Sequence, residues 1–315
     1  MLIEVILFAI GFAILIKGAG VLVDGSTSLA RRLGVPGCLI GLVVVGIGTS
    51  IPEFSVAFWG NLVGEAEVSL GTIIGSNTFN ILVILGLAAV IRPLHLEPAW
   101  VGRDLVWNIF AVAAVVAAVL GNDSSFSGVT REEGLMLLIF FIVWLAVAVR
   151  TAHEADHDPK PRRLIALPFA FLAIAAGLAG VVLGGQWVVN GAVAIARAVG
   201  MSEAFVGLTI VGIGTSLPEL AVTVAAAWRR QFGIAVGNII GSNVFDFLMI
   251  IGASALVRPV PFSQALMPDI VVTLASSLLF FAAVLASRRY MLKGSHGLAF
   301  LVLYGLYFTY LVGRG

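Results

Sequence analysis

The chain has 315 residues, of which 60% are hydrophobic and only 11% are charged, and its formal net charge is +1. This composition lies far outside the balance of an ordinary soluble domain. The basic residues are scattered through short loops, which argues against a surface for nucleic acid. The single cysteine, Cys38, excludes an internal disulfide and any metal site made of cysteines alone. Together these properties indicate a membrane protein.

Apolar runs of about 20 residues recur along the chain, and each is long enough to cross a hydrocarbon core of roughly 30 Å as a helix. We therefore predict an all-α membrane protein with ten transmembrane helices. The first helix begins at Leu2 with no basic segment before it, so we interpret it as a retained helix rather than a signal peptide. The predicted spans are residues 2–23, 36–60, 69–91, 104–121, 132–149, 164–188, 202–228, 234–257, 267–287 and 297–313.

A polar segment near the middle divides these spans into two groups of five. We predict a first five-helix repeat in residues 1–150, a linker in 151–163 and a second, inverted five-helix repeat in 164–315. Lys and Arg concentrate in cytoplasmic loops. With the N-terminus outside, thirteen of these residues fall in inner loops and four in outer loops. We therefore expect both termini outside and the linker in the cytoplasm.

The sequence repeats itself at an offset of 166 residues. The segment Gly-Ile-Gly-Thr-Ser-Ile-Pro-Glu at 46–53 recurs with one change at 212–219, and Gly-Ser-Asn-Thr-Phe-Asn at 75–80 recurs as Gly-Ser-Asn-Val-Phe-Asp at 241–246. The register holds without a gap over about 76 positions, of which roughly 30 are identical. Five spans per copy mean that the second copy enters the membrane from the opposite side, as in many secondary transporters. Equivalent segments should then meet near the midplane.

Two carboxylates are predicted at this depth, Glu53 and Glu219. A carboxylate there costs several kcal/mol unless it is paired, protonated or bound to a cation. Pro52 and Pro218 precede the two glutamates, and each lacks an N–H and leaves an earlier carbonyl oxygen without its helical partner. We expect each helix to be broken where its acid lies.

The neighbouring polar residues supply further oxygen atoms. Thr49 lies four residues before Glu53, and Ser76 lies four before Asn80, so each pair shares a helix face. The second copy repeats the pattern with Thr215, Glu219, Ser242 and Asp246. Oxygen ligands without sulfur or imidazole are typical of a hard-cation site, for Ca²⁺ or Na⁺. Four further side chains fit helix-to-helix hydrogen bonding equally well, namely Ser50, Ser216, Asn77 and Asn243.

At these motifs the chain resembles the cation/calcium exchanger superfamily, specifically the sodium/calcium exchanger branch found in prokaryotes. The resemblance implies a ten-helix inverted-repeat antiporter of the inner membrane, in which Na⁺ entry drives Ca²⁺ out and spans one and six slide across the remaining core. It implies no tightly bound cofactor, no nucleic acid and no obligatory protein partner. The residues that it implies as the lining of adjoining sodium and calcium sites are Thr49, Ser50, Glu53, Ser76, Asn80, Thr215, Ser216, Glu219, Ser242 and Asp246.

Several alternatives stay open at this point. Asn80 and Asp246 stand where proton-coupled relatives tend to carry an acidic Gly-Asn-x-x-Glu pattern, which favours sodium coupling over proton coupling. Potassium-dependent relatives share much of the pattern of this chain, so potassium-dependent exchange stays open. A cation channel is a further alternative, although two proline-broken motifs suit alternating access better.

The linker also contains a second motif. His153-Glu154-Ala155-Asp156-His157 matches the His-Glu-x-x-His pattern of zinc proteases. That chemistry needs a packed helix, a further ligand and a dry cleft, and a charged linker supplies none of them. We interpret this segment as solvated, and we do not predict an enzyme.

Overall fold

The computed structural model describes residues 2–121, 127–151, 164–198 and 212–314. It is predominantly helical, as the composition indicates. In these ranges the fold is carried by α1 (Leu2–Leu33), α2 (Gly37–Thr49), α3 (Ile51–Val63), α4 (66–91), α5 (Pro98–Gly121), α6 (Arg131–Arg150), α7 (Leu167–Ala198), α8 (Leu217–Trp228), α9 (Phe232–Val257), α10 (Met267–Ala286) and α11 (Gly294–Arg314).

By length and composition, eight of the described helices can cross a membrane, or nine if α2 and α3 are counted as one span bent by 49°. The first half of the predicted span 202–228 lies outside the described residues. Of that span the structure gives a single turn, Gly212–Gly214, and then α8. The chain is thus a helical membrane protein.

Two helices are longer than the hydropathy pattern indicates. α1 continues to Leu33, past its predicted end at residue 23, and α7 continues to Ala198, past residue 188. The continuation of α1 carries polar side chains that are nevertheless buried, among them Ser26 and Ser28. Hydropathy ends a span where polar residues begin, so it misses helix that is polar and enclosed by protein.

Glycines let α1 and α7 pack backbone to backbone. A Cβ atom at Gly184 would lie 2.6 Å from the backbone nitrogen of Leu15, and one at Gly177 would lie 2.7 Å from that of Leu22. Residues with higher numbers in α1 contact residues with lower numbers in α7, so the two helices are antiparallel. No bulkier residue fits at these glycines without separating the pair.

The centre of the molecule is the crossing of α2 and α9. α9 is enclosed by protein along almost its whole length. A Cβ at Gly241 would lie 2.1 Å from the carbonyl oxygen of Leu42, and one at Gly46 would lie 2.8 Å from the backbone nitrogen of Ser242. This contact between two motif glycines brings the polar residues of the two copies against each other.

Two short antiparallel ladders join the loops between helices. β1 (Leu94–His95) pairs with β4 (Met291–Leu292), and β2 (Gly128–Val129) pairs with β3 (Val260–Pro261). Each ladder takes one strand from each half of the chain. The two halves are therefore joined at their loops as well as through the core.

Among the described helices, four contain a π-helical segment, which widens the helix locally. Two of these segments begin within one residue of equivalent positions, at Asn80 in α4 and at Phe245 in α9, just before Asp246. The other two are Gly41–Gly46 in α2 and Val101–Leu105 in α5.

Candidate cation site

Both proline-containing spans are broken at the same place in the repeat. Ser50 separates α2 from α3 with φ/ψ of −81°/11°, and Ser216 precedes α8 with −85°/6°. In each copy proline occupies the first turn of the following helix, and the glutamate lies in that same turn. A helix N-terminus carries partial positive charge and favours a carboxylate. The predicted break at each acid is therefore present.

Three carboxyl groups are buried in this region, two in the first turns after the breaks and the third, Asp246, in the π-helical segment of α9. Glu53 and Glu219 are each 1% exposed and Asp246 is 0% exposed, and they lie close enough to act on one another electrostatically. Each has one oxygen without a hydrogen-bond partner among the described residues, namely Oε2 of either glutamate and Oδ1 of the aspartate. Buried carboxylate oxygens that lack donors require a proton or a cation.

The carboxylates do not all close around one point. Among the described residues, no three acidic, histidine or cysteine groups are close enough together to ligate one ion. An ion held here would need hydroxyl, amide or backbone oxygens as well, or the carboxylates would serve adjoining positions. Calcium accepts six to eight oxygen ligands, so a mixed set suits it.

Two serines converge on one carboxylate oxygen of Glu219. The hydroxyl of Ser50 donates to Oε1 across the two copies at 3.4 Å, and the hydroxyl of Ser242 reaches the same atom at 3.5 Å. Ser242 also donates to the backbone carbonyl of Gly46, at 3.1 Å, in the segment that leads to the first break. These residues therefore belong to one site.

Four polar residues, two from each Gly-Ser-Asn motif, form two hydrogen-bonded pairs between the copies. Asn77 donates to Oδ2 of Asp246 at 2.8 Å, and Asn80 donates to Oδ1 of Asn243 at 3.0 Å. In each pair, the middle asparagine of one motif meets the last residue of the other. Asn77 and Asn243 thus orient candidate ligands and also join helices, which combines the two interpretations of the sequence.

The two threonines differ from each other. Thr49 has three acceptors within reach, the carbonyls of Val45 and Gly46 and the side-chain oxygen of Asn238, at 3.1 to 3.2 Å. The hydroxyl of Thr215 is buried beside the carboxyl group of Glu53, and it has no partner among the described residues at a regular hydrogen-bond distance and angle.

The remaining predicted residues also lie in this region. The hydroxyl of Ser76 donates to the carbonyl of Ile73 at 3.1 Å. The hydroxyl of Ser216 is buried without a partner in the described part of the chain. All ten predicted side chains therefore gather at the two breaks and the helices beside them, whereas the motif at 153–157 lies outside the described residues.

One buried polar residue of this region was missed by sequence reasoning. Asn238 lies outside both motifs, one helical turn before Ser242, and contacts Thr49, Glu219 and Thr223. A signal was present, because an asparagine inside an apolar span is costly unless it has partners.

Two cavities flank the second break. One, of about 340 Å³, is lined by Gly75, Ile213, Asp269 and Arg314 among others, and the other, of about 200 Å³, is lined by Gln186, Asn190 and Thr215 among others. Both reach residues next to the site.

Together, the broken helices, the three buried carboxyl groups and the cavities beside them define a membrane transporter for cations. The chain belongs to the sodium/calcium exchanger protein family, whose model matches residues 3–150 and 169–313. The resemblance seen in the motifs is thus confirmed.

Comparisons with individual proteins agree with this family. The chain is 36% identical to the inner membrane protein YrbG of Escherichia coli over 269 residues, which are 82% of this chain and 81% of that protein. It is 26% identical to the sodium/calcium exchanger MaX1 of Methanosarcina acetivorans, over 82% of this chain and 84% of that protein. A solved structure of the sodium-calcium exchanger NCX_Mj superimposes with a TM-score of 0.85 at 31% identity, covering 98% of both chains.

Proposed function

We propose that this chain is a secondary antiporter that exchanges Na⁺ for Ca²⁺ at the site formed by Glu53, Glu219 and Asp246. The observation that carries the proposal is the burial of three carboxyl groups, two at broken helices and one on α9 beside them, each with an oxygen that no described donor satisfies. The exchangers MaX1 and NCX_Mj, which this chain resembles in sequence or structure, support the choice of ions.

The charge of the site suits exchange between these ions. Two glutamates neutralise one Ca²⁺ or two Na⁺, and Asp246 adds a third group that can ionise or bind a proton as occupancy changes. The ligands proposed around them are the hydroxyls of the flanking residues and the amide of Asn80, listed by position as Thr49, Ser50, Ser76, Asn80, Thr215, Ser216 and Ser242. All are oxygen donors of the kind that both ions accept.

We further propose ten transmembrane helices arranged as two inverted copies. The ladders support this count, since paired strands lie on the same face of the membrane. Between β1 and β4 the chain passes through α5, α6, α7, the span 202–228, α9 and α10. The number of crossings is even if the span 202–228 also crosses, which supports the proposed count. The pair β2 and β3 supports it in the same way, with four crossings between them.

In the proposed orientation both termini are outside and the linker 151–163 is cytoplasmic, as the distribution of Lys and Arg indicates. The larger cavity then opens outward, because it is lined by Asp269 at the start of α10 and Arg314 at the end of α11. The glycine contacts between α1 and α7 support sliding of this pair as one unit against the core during alternating access.

The experiment is calcium uptake into proteoliposomes under imposed sodium, potassium or proton gradients. We expect uptake driven by sodium in the wild type. Glu219→Gln, which keeps the shape of the side chain and removes its charge, should abolish uptake. The matched control is Glu132→Gln, at an exposed carboxylate in the first turn of α6, and it should transport normally.

Each gradient tests a different alternative. Calcium uptake that does not respond to sodium but is driven by a proton or potassium gradient would identify that ion as the coupling ion. Calcium flux without any counter-ion would indicate a channel. Full activity of Glu219→Gln would overturn the site itself.

A further inference from the structure

Asn238 connects the two broken helices of the site. It lies in α9, it is 0% exposed, and all of its polar groups are used. Its oxygen accepts from Thr49 at 3.2 Å, and its amide nitrogen donates to the hydroxyl of Thr223 at 2.9 Å and to the backbone carbonyl of Glu219 at 3.3 Å. One side chain therefore contacts the end of α2 and the first turn of α8.

The other copy lacks this arrangement. The residue equivalent to Asn238 is Thr72, and the residue equivalent to Thr223 is Ala57, which has no hydroxyl. The threonine that Thr72 would have to hold is Thr215, whose buried hydroxyl has no partner among the described residues at a regular hydrogen-bond distance and angle. The repeat is thus unequal here for a chemical reason, the exchange of an amide for a shorter hydroxyl.

The hydrogen bond to Asn238 affects which side of the Thr49 hydroxyl can face a cation. A hydroxyl has one hydrogen and two lone pairs, and it ligates a cation only when the hydrogen points elsewhere. Asn238 offers an acceptor for that hydrogen on the side of α9, together with the helix carbonyls of Val45 and Gly46. The lone pairs of Thr49 are then directed away from these acceptors before any ion arrives, and preorganised ligands bind more tightly.

We propose that Asn238 is a positioning residue that orients Thr49 and the backbone of Glu219 for cation binding. Thr215 has no asparagine partner of this kind and lies beside Glu53, so its orientation depends on whether Glu53 holds a cation. This inference rests on the proposed cation site and assigns its two threonines unequal roles. Asn238 acts through Thr49 and is not itself a ligand.

The test replaces Asn238 with the residue of the other copy, Asn238→Thr. Loss of one orienting hydrogen bond should raise the KM for Ca²⁺ about fivefold to tenfold. The maximal rate should stay within about twofold, because the carboxylates are unchanged. Discrimination between Ca²⁺ and the larger Sr²⁺ should also fall, since a less fixed oxygen set tolerates a wider range of ion size.

The matched control is Asn108→Thr. Asn108 is another buried asparagine, which donates to Ser277 at 3.1 Å between α5 and α10 and makes no described hydrogen bond to a proposed ligand. If both asparagines only join helices, both variants should lose thermal stability and keep the wild-type KM. An unchanged KM and unchanged Sr²⁺ discrimination in Asn238→Thr would overturn the proposal.

A double-mutant cycle with Thr49→Ala separates action through Thr49 from any other effect. We expect Asn238→Thr to add little to the KM of Thr49→Ala. Additive effects would show that Asn238 does not act through Thr49 and would also overturn the proposal.

Failure of the proposed function is recognised separately, because it is seen in the wild type. If wild-type uptake follows protons rather than sodium, the coupling ion changes and the same KM comparison still decides the role of Asn238. The shift of melting temperature with Ca²⁺ in detergent gives a second measure of affinity that needs no gradient. A wild type that Ca²⁺ does not stabilise would overturn both proposals.

Discussion

The two copies of the repeat agree in shape and differ in charge and hydrogen bonding. Ser50 and Ser216 break their helices with nearly the same dihedral angles, and both breaks are followed by a proline and a buried glutamate. The copies differ where the first has Asn80 and the second Asp246, and where the first has Thr72 and the second Asn238. Symmetry places the ligands, and the departures from symmetry decide how many charges the site holds and which hydroxyls are fixed.

A third difference lies at the edge of the molecule. Arg229 forms an ion pair with Asp24 and donates to the carbonyl of Gly20 at 2.8 Å, so it ties α1 to the end of α8. The equivalents of Arg229 and Asp24 are Val63 and Asn190, which cannot form an ion pair. The tie is therefore built on one face of the membrane only.

The largest effect is expected from replacing either glutamate. The two effects should be similar, because both copies have a glutamate at this position. Glu53→Gln should reduce calcium transport at least about a hundredfold, as should Glu219→Gln, since each removes one charge from a buried cluster. Initial rates in proteoliposomes measure this. A large loss in Glu219→Gln with near-normal activity in Glu53→Gln would show that only the second copy supplies a glutamate ligand.

A smaller effect is expected from making the copies equal at the next position. Asp246→Asn keeps the contact with Asn77 and lowers the number of carboxylates from three to two. We expect transport to fall about tenfold and the sodium dependence of calcium release to become less steep, because fewer cations are held together.

The opposite change is Asn80→Asp, which raises the number of carboxylates to four. The amide of Asn243, whose nitrogen has no partner among the described residues, can turn to donate to the new carboxylate. Calcium should then bind more tightly and leave more slowly. An unchanged sodium dependence in both variants would contradict the role given to this position.

The ion pair at the edge should matter less. Asp24→Asn copies the residue of the other repeat and releases the tie between α1 and α8. Asp24 and Arg229 have side chains that are 58% and 38% exposed, so the effect should stay within about threefold, as a faster rate at low ionic strength. Rates at low and high salt check this, because screening should remove the difference. An effect that persists at high salt would point to packing rather than charge.

No effect is expected in the linker. Replacing His153 and His157 by alanine should leave transport unchanged, because the proposed site lies elsewhere. The measurement is calcium uptake with and without a zinc chelator. Loss of uptake in the double variant would assign the linker a part in transport that nothing in its composition predicts.

Much of this molecule could be predicted from its sequence, for reasons that differ between residues. Glu53, Glu219 and Asp246 stand out because a charge inside an apolar span is costly, and the proline before each glutamate marks a break. The offset of 166 and the odd number of spans per copy then predict that the two motifs meet. These predictions use local chemistry and symmetry, which a sequence contains directly.

The features that were missed depend on contacts between distant segments. Asn238 is one polar residue in a long span, and only the crossing of α2 and α9 shows that it meets Thr49. Likewise, the partner of Asp24 is 205 positions away, and the polar end of α1 is helical because other helices enclose it. The strands are two residues long and carry no alternating pattern of their own.

The ladders also bear on how the protein is made. β1 is synthesised long before its partner, which lies near residue 291, and β2 must wait for residue 260. During translation the first half therefore enters the membrane with two unpaired strand edges, which are sites for wrong pairing. Closure of both ladders requires nearly the whole chain, so it can serve as the last step of biogenesis, after which neither half can be withdrawn without the other.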